Sequence, residues 1–129
     1  MSAADPLTDF LAQRVLAVVG VSRDPAKWGT IVFRDLRSKG YTVYPVNPHM
    51  KTLDGAEAFA SLSDLPEPVG GVVIVTQPRV TLEIVREAAD LGVRRVWMQQ
   101  GAESPEAIAL CEEHGISTVH GVCVMVKSR

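Results

Sequence analysis

An α/β fold built on a doubly wound, mostly parallel sheet of about five strands is what the sequence predicts. Three observations carry it. A phrase recurs in "SKGYTVYPV", "DLGVRRVWM" and "EHGISTVHG": a helix-like end, a glycine, then an apolar run. The apolar runs are rich in Val and Ile and nearly continuous, as in strands buried on both faces. The segments between them carry helical spacing and helix-start signals.

Taken in order, Asp5-Pro6 marks the start of a short helix ending near Gln13, with Asp as N-cap and proline at the first helical position. The first strand is Val15–Val19. After the loop "GVSRDPAKWG" a helix is expected over Thr30–Lys39, closed by Gly40. Thr42–Val46 is the second strand. Between Pro48 and Gly70 the pattern weakens to a loop with one helical turn. Val72–Val75 follows as a strand, then a helix over Arg79–Leu91 with an apolar stripe of Val80, Ile84, Ala88 and Leu91. Gly92 ends it. Strand Arg95–Met98, helix Pro105–His114 opened by the Ser104 cap, Gly115 and strand Ser117–Val119 complete the chain. Right-handed crossovers then place helices on both faces, a Rossmann-like architecture. The 129 residues read as one domain, 1–129.

Composition narrows the function. With 47% hydrophobic and 22% charged residues the chain reads as soluble and globular, and a net charge of −2 gives no support to nucleic-acid binding. No run is long enough to span a membrane. The opening "MSAADPLTDFLAQR" lacks the basic start and apolar core of a signal peptide, so a cytoplasmic location is expected. Cys111 and Cys123 match no zinc spacing.

Ligands of open α/β sheets bind beyond the carboxyl ends of the strands. Four strand exits are polar or glycine-bearing: the loop from Gly20 to Gly29, Asn47-Pro48-His49, Thr76-Gln77-Pro78 and Gln99-Gln100-Gly101-Ala102. In the first, Gly20 permits a sharp turn, Ser22 offers a hydroxyl, Lys27 a charge, and the helix opening near Gly29 free N–H groups. The loop reads as a phosphate cradle or as a plain turn, with Arg23 open to either. It is not a dinucleotide fingerprint, because Ser22 stands where a second glycine belongs, and no P-loop G-K-[ST] occurs. The second strand ends in Asn47 rather than the carboxylate that holds an NAD ribose, and Asn47-Pro48 reads as a turn or a contact.

With those residues in view, the chain resembles the small single-domain CoA-binding proteins of bacteria and archaea. These are related to the CoA-binding domain of succinyl-CoA synthetase alpha subunits. "VVGVSRDPAKWG", "GYTVYPVNP", "VVIVTQP", "VWMQQGAES" and the late cysteine of "HGVCVM" carry the likeness, in the family's order. The resemblance implies coenzyme A as ligand. It puts pyrophosphate in the loop of Gly20, Val21, Ser22, Arg23, Lys27, Trp28 and Gly29. Val46, Asn47 and Pro48 would flank the adenosine, Thr76, Gln77 and Pro78 the adenine or ribose, and Gln99, Gly101 and Ala102 the pantetheine side. The chain departs from the family at Gly70-Gly71, where an acidic residue is common, and at His120-Gly121-Val122 before the cysteine.

Candidates for catalysis are few. His114 suits a helix end. Cys111 falls on an apolar stripe, and Cys123 is expected to be a buried structural thiol, with a pairing to His120 the alternative. Trp97 is expected to pack inside its strand, and Trp28 to plug the loop against the next helix rather than cover a ligand. The reading is therefore a non-catalytic carrier or sensor of CoA or an acyl-CoA, with a protein partner or homo-oligomer left open. An NAD(P)-dependent oxidoreductase-like domain, or a thioester enzyme using Cys123, is the alternative.

Overall fold

The computed structural model describes residues 5–129, so the expectation on the first four residues lies outside it. The elements are α1 (Pro6–Leu11), β1 (Val15–Val19), α2 (Trp28–Ser38), β2 (Thr42–Val46), β3 (Thr52–Leu53), β4 (Ala56–Glu57), a 3-10 turn (Leu62–Asp64), β5 (Gly71–Ile74), α3 (Pro78–Asp90), β6 (Arg95–Met98), α4 (Pro105–Glu113), β7 (Ser117–His120) and α5 (Val124–Lys127). The main sheet runs β2-β1-β5-β6-β7, parallel throughout. The expected α/β, Rossmann-like class is what the chain adopts.

Strand alternation divides the core. Leu16, Val18, Val73 and Trp97 face one side, against Phe10, Val32, Phe33, Leu36 and Val124 of α1, α2 and α5. Ala17, Val19, Val72, Ile74, Val96 and Met98 face the other, against α3 and α4 through Val85, Ala88, Ala107 and Cys111. Both faces of β1, β5 and β6 are thus dry, which is why these strands read as unbroken apolar runs. Gly40, Gly92 and Gly115 take φ of 96°, 76° and 70° after their helices, as the recurring phrase predicts.

Three differences have physical causes. Helix α2 starts at Trp28 because Lys27 already has the extended backbone of an N-cap. The buried stripe of α3 is Thr81, Val85 and Ala88, whereas Val80 and Leu91 are exposed. Thr81 can be buried because its hydroxyl bonds Gln77 O (3.2 Å) and Thr76 Oγ1 (2.8 Å). The weak stretch after Pro48 contains a β3-β4 hairpin turning at Asp54-Gly55, both with positive φ (51° and 79°). Its following segment covers the outer edge of β2: Phe59 N donates to Pro45 O and Asn47 N to Phe59 O, each at 2.9 Å. The short α5 has no counterpart in the expected elements.

Gly70 and Gly71 seat α1. A Cβ at Gly71 would lie 2.5 Å from Phe10 Cε2, and one at Gly70 would lie 2.7 Å from Gln13 Oε1. The two glycines thus make room for the docked N-terminal helix. Arg95 Nε reinforces it with a 2.6 Å ion pair to Asp9. At the other end, Lys39 Nζ donates to Met125 O (2.7 Å) and Ser128 Oγ (2.9 Å), fastening α5 to α2.

Candidate functional site

The carboxyl ends of β1, β5 and β6 open into one cleft of about 470 Å³. Its walls are Gly20, Ser22, Lys27, Trp28 and Gly29 from the first exit, Val75 through Pro78 from the second, and Gln100, Gly101 and Ala102 from the third.

The first wall is held by backbone packing. Gly20 has φ 108°, and a Cβ there would sit 2.1 Å from Val75 O. Gly29 brings the start of α2 against the end of β1 so closely that a Cβ would fall 2.0 Å from Gly20 O. Between these glycines the loop folds on itself. Ser22 N donates to Thr30 Oγ1 (2.9 Å), and the same hydroxyl donates back to Ser22 O (2.5 Å). Ser22 Oγ accepts from Asp24 N, and Asp24 Oδ1 from Ala26 N.

What this leaves free is informative. Helices α1 and α4 are capped by Asp5, accepting from Thr8 N at 2.9 Å, and by Ser104, accepting from Ala107 N at 3.2 Å. The two helices that open on the cleft have no side-chain cap. Among the described residues the Trp28 and Gly29 N–H groups have no acceptor. Neither helix has an acid in its first turn, whereas α1 has Asp9 and α4 has Glu106. In their place stand Lys27 at the N-cap of α2 and Arg79 in the first turn of α3. A cation at a helix N-terminus opposes the helix dipole; Lys27 lies on the cleft wall, whereas Arg79 is exposed outside it.

Other residues singled out in the sequence are placed elsewhere. Val21 and Val46 are in the core, at 1% and 2% exposure. Asn47 is spent on the fold: Nδ2 donates to Val21 O (2.6 Å) and Oδ1 accepts from His49 N (2.7 Å). It latches the loop to the end of β2. Pro48 and Arg23 are exposed and form no part of the cleft wall. Gln99 turns to the opposite face, donating to Cys123 Sγ (3.4 Å) and accepting from Val124 N (2.8 Å). Gln100 lines the cleft instead. The period of two carries the signal for this: Gln99 continues the Trp97 side of β6, which faces α5.

Trp28 corrects an expectation. It is no plug; it is 64% exposed at the lip of the cleft. Trp97 packs as expected, fully buried, with Nε1 donating to Val122 O at 3.0 Å.

The thiols differ. Cys111 is buried and its thiol is pushed up, chiefly by burial. Cys123 is half-buried rather than enclosed as expected. Burial pushes its thiol up, but bonds from Gln99 and from the N–H groups of Met125 and Val126 outweigh that and hold it below the ordinary range. Among the described residues no hydrogen bond joins it to His120. A second depression, of about 320 Å³, lies between residues 62–69 and 91–93 at the amino ends of the strands, away from the loop. Among the described residues no helix is long and apolar enough to cross a membrane.

Comparison with known proteins adds the remaining findings. A family model described as "CoA binding domain" matches residues 14–129. The alpha subunit of an ADP-forming acetate–CoA ligase II from Pyrococcus furiosus is 29% identical over 126 residues, 89% of this chain and 28% of that subunit. The uncharacterized Bacillus subtilis protein YneT is 27% identical, covering 86% of this chain and 82% of its own. The chain therefore spans little more than a quarter of the ligase subunit and most of the small protein. Among solved structures, a conserved hypothetical protein from Pyrococcus furiosus has a TM-score of 0.86 at 40% identity, over 89% of this chain and 99% of that one. A Thermus thermophilus structure has a TM-score of 0.86 at 37% identity, over 94% and 92%.

Proposed function

This chain belongs to the CoA-binding domain family, and from that premise we propose that it binds coenzyme A or an acyl-CoA in the cleft at the β1, β5 and β6 exits, as a carrier or sensor without a reaction centre of its own. The observation that supports this most is the pair of uncapped N–H groups, Trp28 and Gly29, with Lys27 beside them on the same cleft. They are the donors that a pyrophosphate satisfies. Ser22 Oγ accepts from Asp24 N and keeps its own proton to donate.

The NAD alternative fares worse on the same geometry. Its ribose would need a carboxylate at the end of β2, where Asn47 stands with its amide already committed. The likeness to one part of a CoA ligase subunit extends the proposal to a protein partner, which would supply any chemistry done on the bound thioester.

The test is thermal unfolding with each ligand. CoA at a hundred times its Kd is expected to add about 2.7 kcal/mol to the native state, a shift of several degrees, and NAD none. Equal shifts with both, or none with saturating CoA, reject the proposal. Lys27→Ala is expected to weaken CoA about tenfold at low salt, with the loss shrinking as salt rises. Isothermal titration at two ionic strengths measures this, and an unchanged affinity at low salt removes Lys27 from the site.

A further inference from the structure

We propose that the chain forms a two-fold dimer through the outer edge of β7, joining two five-stranded sheets into one. The fold treats the two edges of its main sheet differently. At β2 the edge carries Pro45 and is closed by the covering segment, through Phe59 N to Pro45 O and Asn47 N to Phe59 O. At β7 no strand lies outside, and among the described residues the one isolated bridge, Val46 to Phe59, is on the β2 side. Bare edges are ordinarily blunted by a charge, a proline or a bulge. Ser117–His120 reads Ser-Thr-Val-His and pairs one to one with Arg95–Met98, so it has none of these.

The ladder decides which groups point outward. Ser117 N donates to Arg94 O at 2.9 Å, so the backbone of Ser117, and by alternation that of Val119, is spent on β6. Thr118 and His120 therefore turn their N–H and C=O groups away from the sheet. Spaced two residues apart, these groups form a self-complementary set. An antiparallel second copy, with the two-fold axis at Val119, sets Thr118 of each chain opposite His120 of the other. Every outward donor then meets an outward acceptor. Val119 meets its own counterpart on the face where it already joins the Trp97 core. Helices α1 and α4 pack on β7 and flank the seam. Because the joined strands run in opposite directions, the two clefts open at opposite ends, and neither is covered. The dimer is thus independent of the ligand.

Sedimentation equilibrium of the full chain without ligand tests this. A four-residue edge is a small interface, so a change from monomer to dimer is expected between about 5 and 500 μM. Amide exchange read by NMR gives the signature. Thr118 and His120 gain protection as the dimer forms, whereas Ser117 and Val119 are protected at both concentrations. His120→Pro removes an outward N–H that the monomer does not use, at an exposed position. It is expected to weaken dimerisation about thirtyfold, with the circular dichroism of the monomer unchanged. His120→Thr keeps the N–H and dimerises as wild type does. A chain that stays monomeric at the upper concentration overturns the proposal. So does a wild-type dimer whose Thr118 and His120 amides exchange as fast as in the monomer, a result that needs no variant. His120→Pro that dimerises as tightly as wild type overturns it as well.

Discussion

Gly29→Ala is expected to destabilise the protein by about 3 kcal/mol or more and to abolish measurable CoA binding. The sign is the point of the experiment. Gly29 is inside a helix, where alanine is ordinarily favoured by about 1 kcal/mol. Here the added methyl would meet Gly20 O at 2.0 Å and Gly20 C at 2.6 Å, both backbone. No rotamer change relieves that contact, so α2 must retreat from the end of β1. Its amides then leave the place where the loop would present them to phosphate. Urea unfolding measures the first effect as a lower midpoint at constant slope, and calorimetric titration the second. Gly40→Ala is the control. Its φ is 96° but no atom lies within 4 Å of the added carbon, so only backbone strain remains, roughly 1–2 kcal/mol, with CoA binding intact. Full stability in Gly29→Ala refutes the close docking of helix on strand.

Trp97→Ala is expected to cost about 3–5 kcal/mol. The ring is fully buried, meets Phe10 edge-on at 5.3 Å between centroids, and holds Val122 O at 3.0 Å. One side chain thus ties β6 to α1 and to the segment before α5. Trp97→Phe keeps the contact with Phe10 but leaves Val122 O unpaired, for a smaller loss of about 1–2 kcal/mol. Circular dichroism at 222 nm follows both. Equal stability of the two variants would mean that the hydrogen bond, not the packing, dominates.

Particular residues show which features the sequence discloses. The parallel sheet is readable because β1, β5 and β6 are buried on both faces, so their apolar runs need no tertiary knowledge. Caps and terminators are readable because they are local: Asp5, Ser104 and the glycines after three helices act within a few residues. The side-chain direction at strand exits is set over longer range. Gln99 and Gln100 are chemically identical; only the alternation along β6 and the presence of α5 assign one to the fold and the other to the cleft. Asn47 is a similar case, since its partner Val21 O belongs to another strand exit. An indole in a loop suggests burial, and only the packing of α2 on β1 shows that Trp28 faces outward. The β3-β4 hairpin had a local signal, Asp54-Gly55, masked by strands of two residues each.

The order β2-β1-β5-β6-β7 has a consequence for how the chain reaches this state. Every pairing in the main sheet joins strands separated by a crossover; none is closed by a hairpin. Strand β1, made first, gains its second neighbour only after β2, the hairpin and the covering loop have all been laid down. Loop-closure entropy must be met before any of these contacts stabilises the chain. The helices, whose contacts are local, are the natural first structures. The apolar β1 then keeps its β5-side edge open until that strand is made, so the strand that leads into the cleft loop is exposed to misassociation while the protein folds.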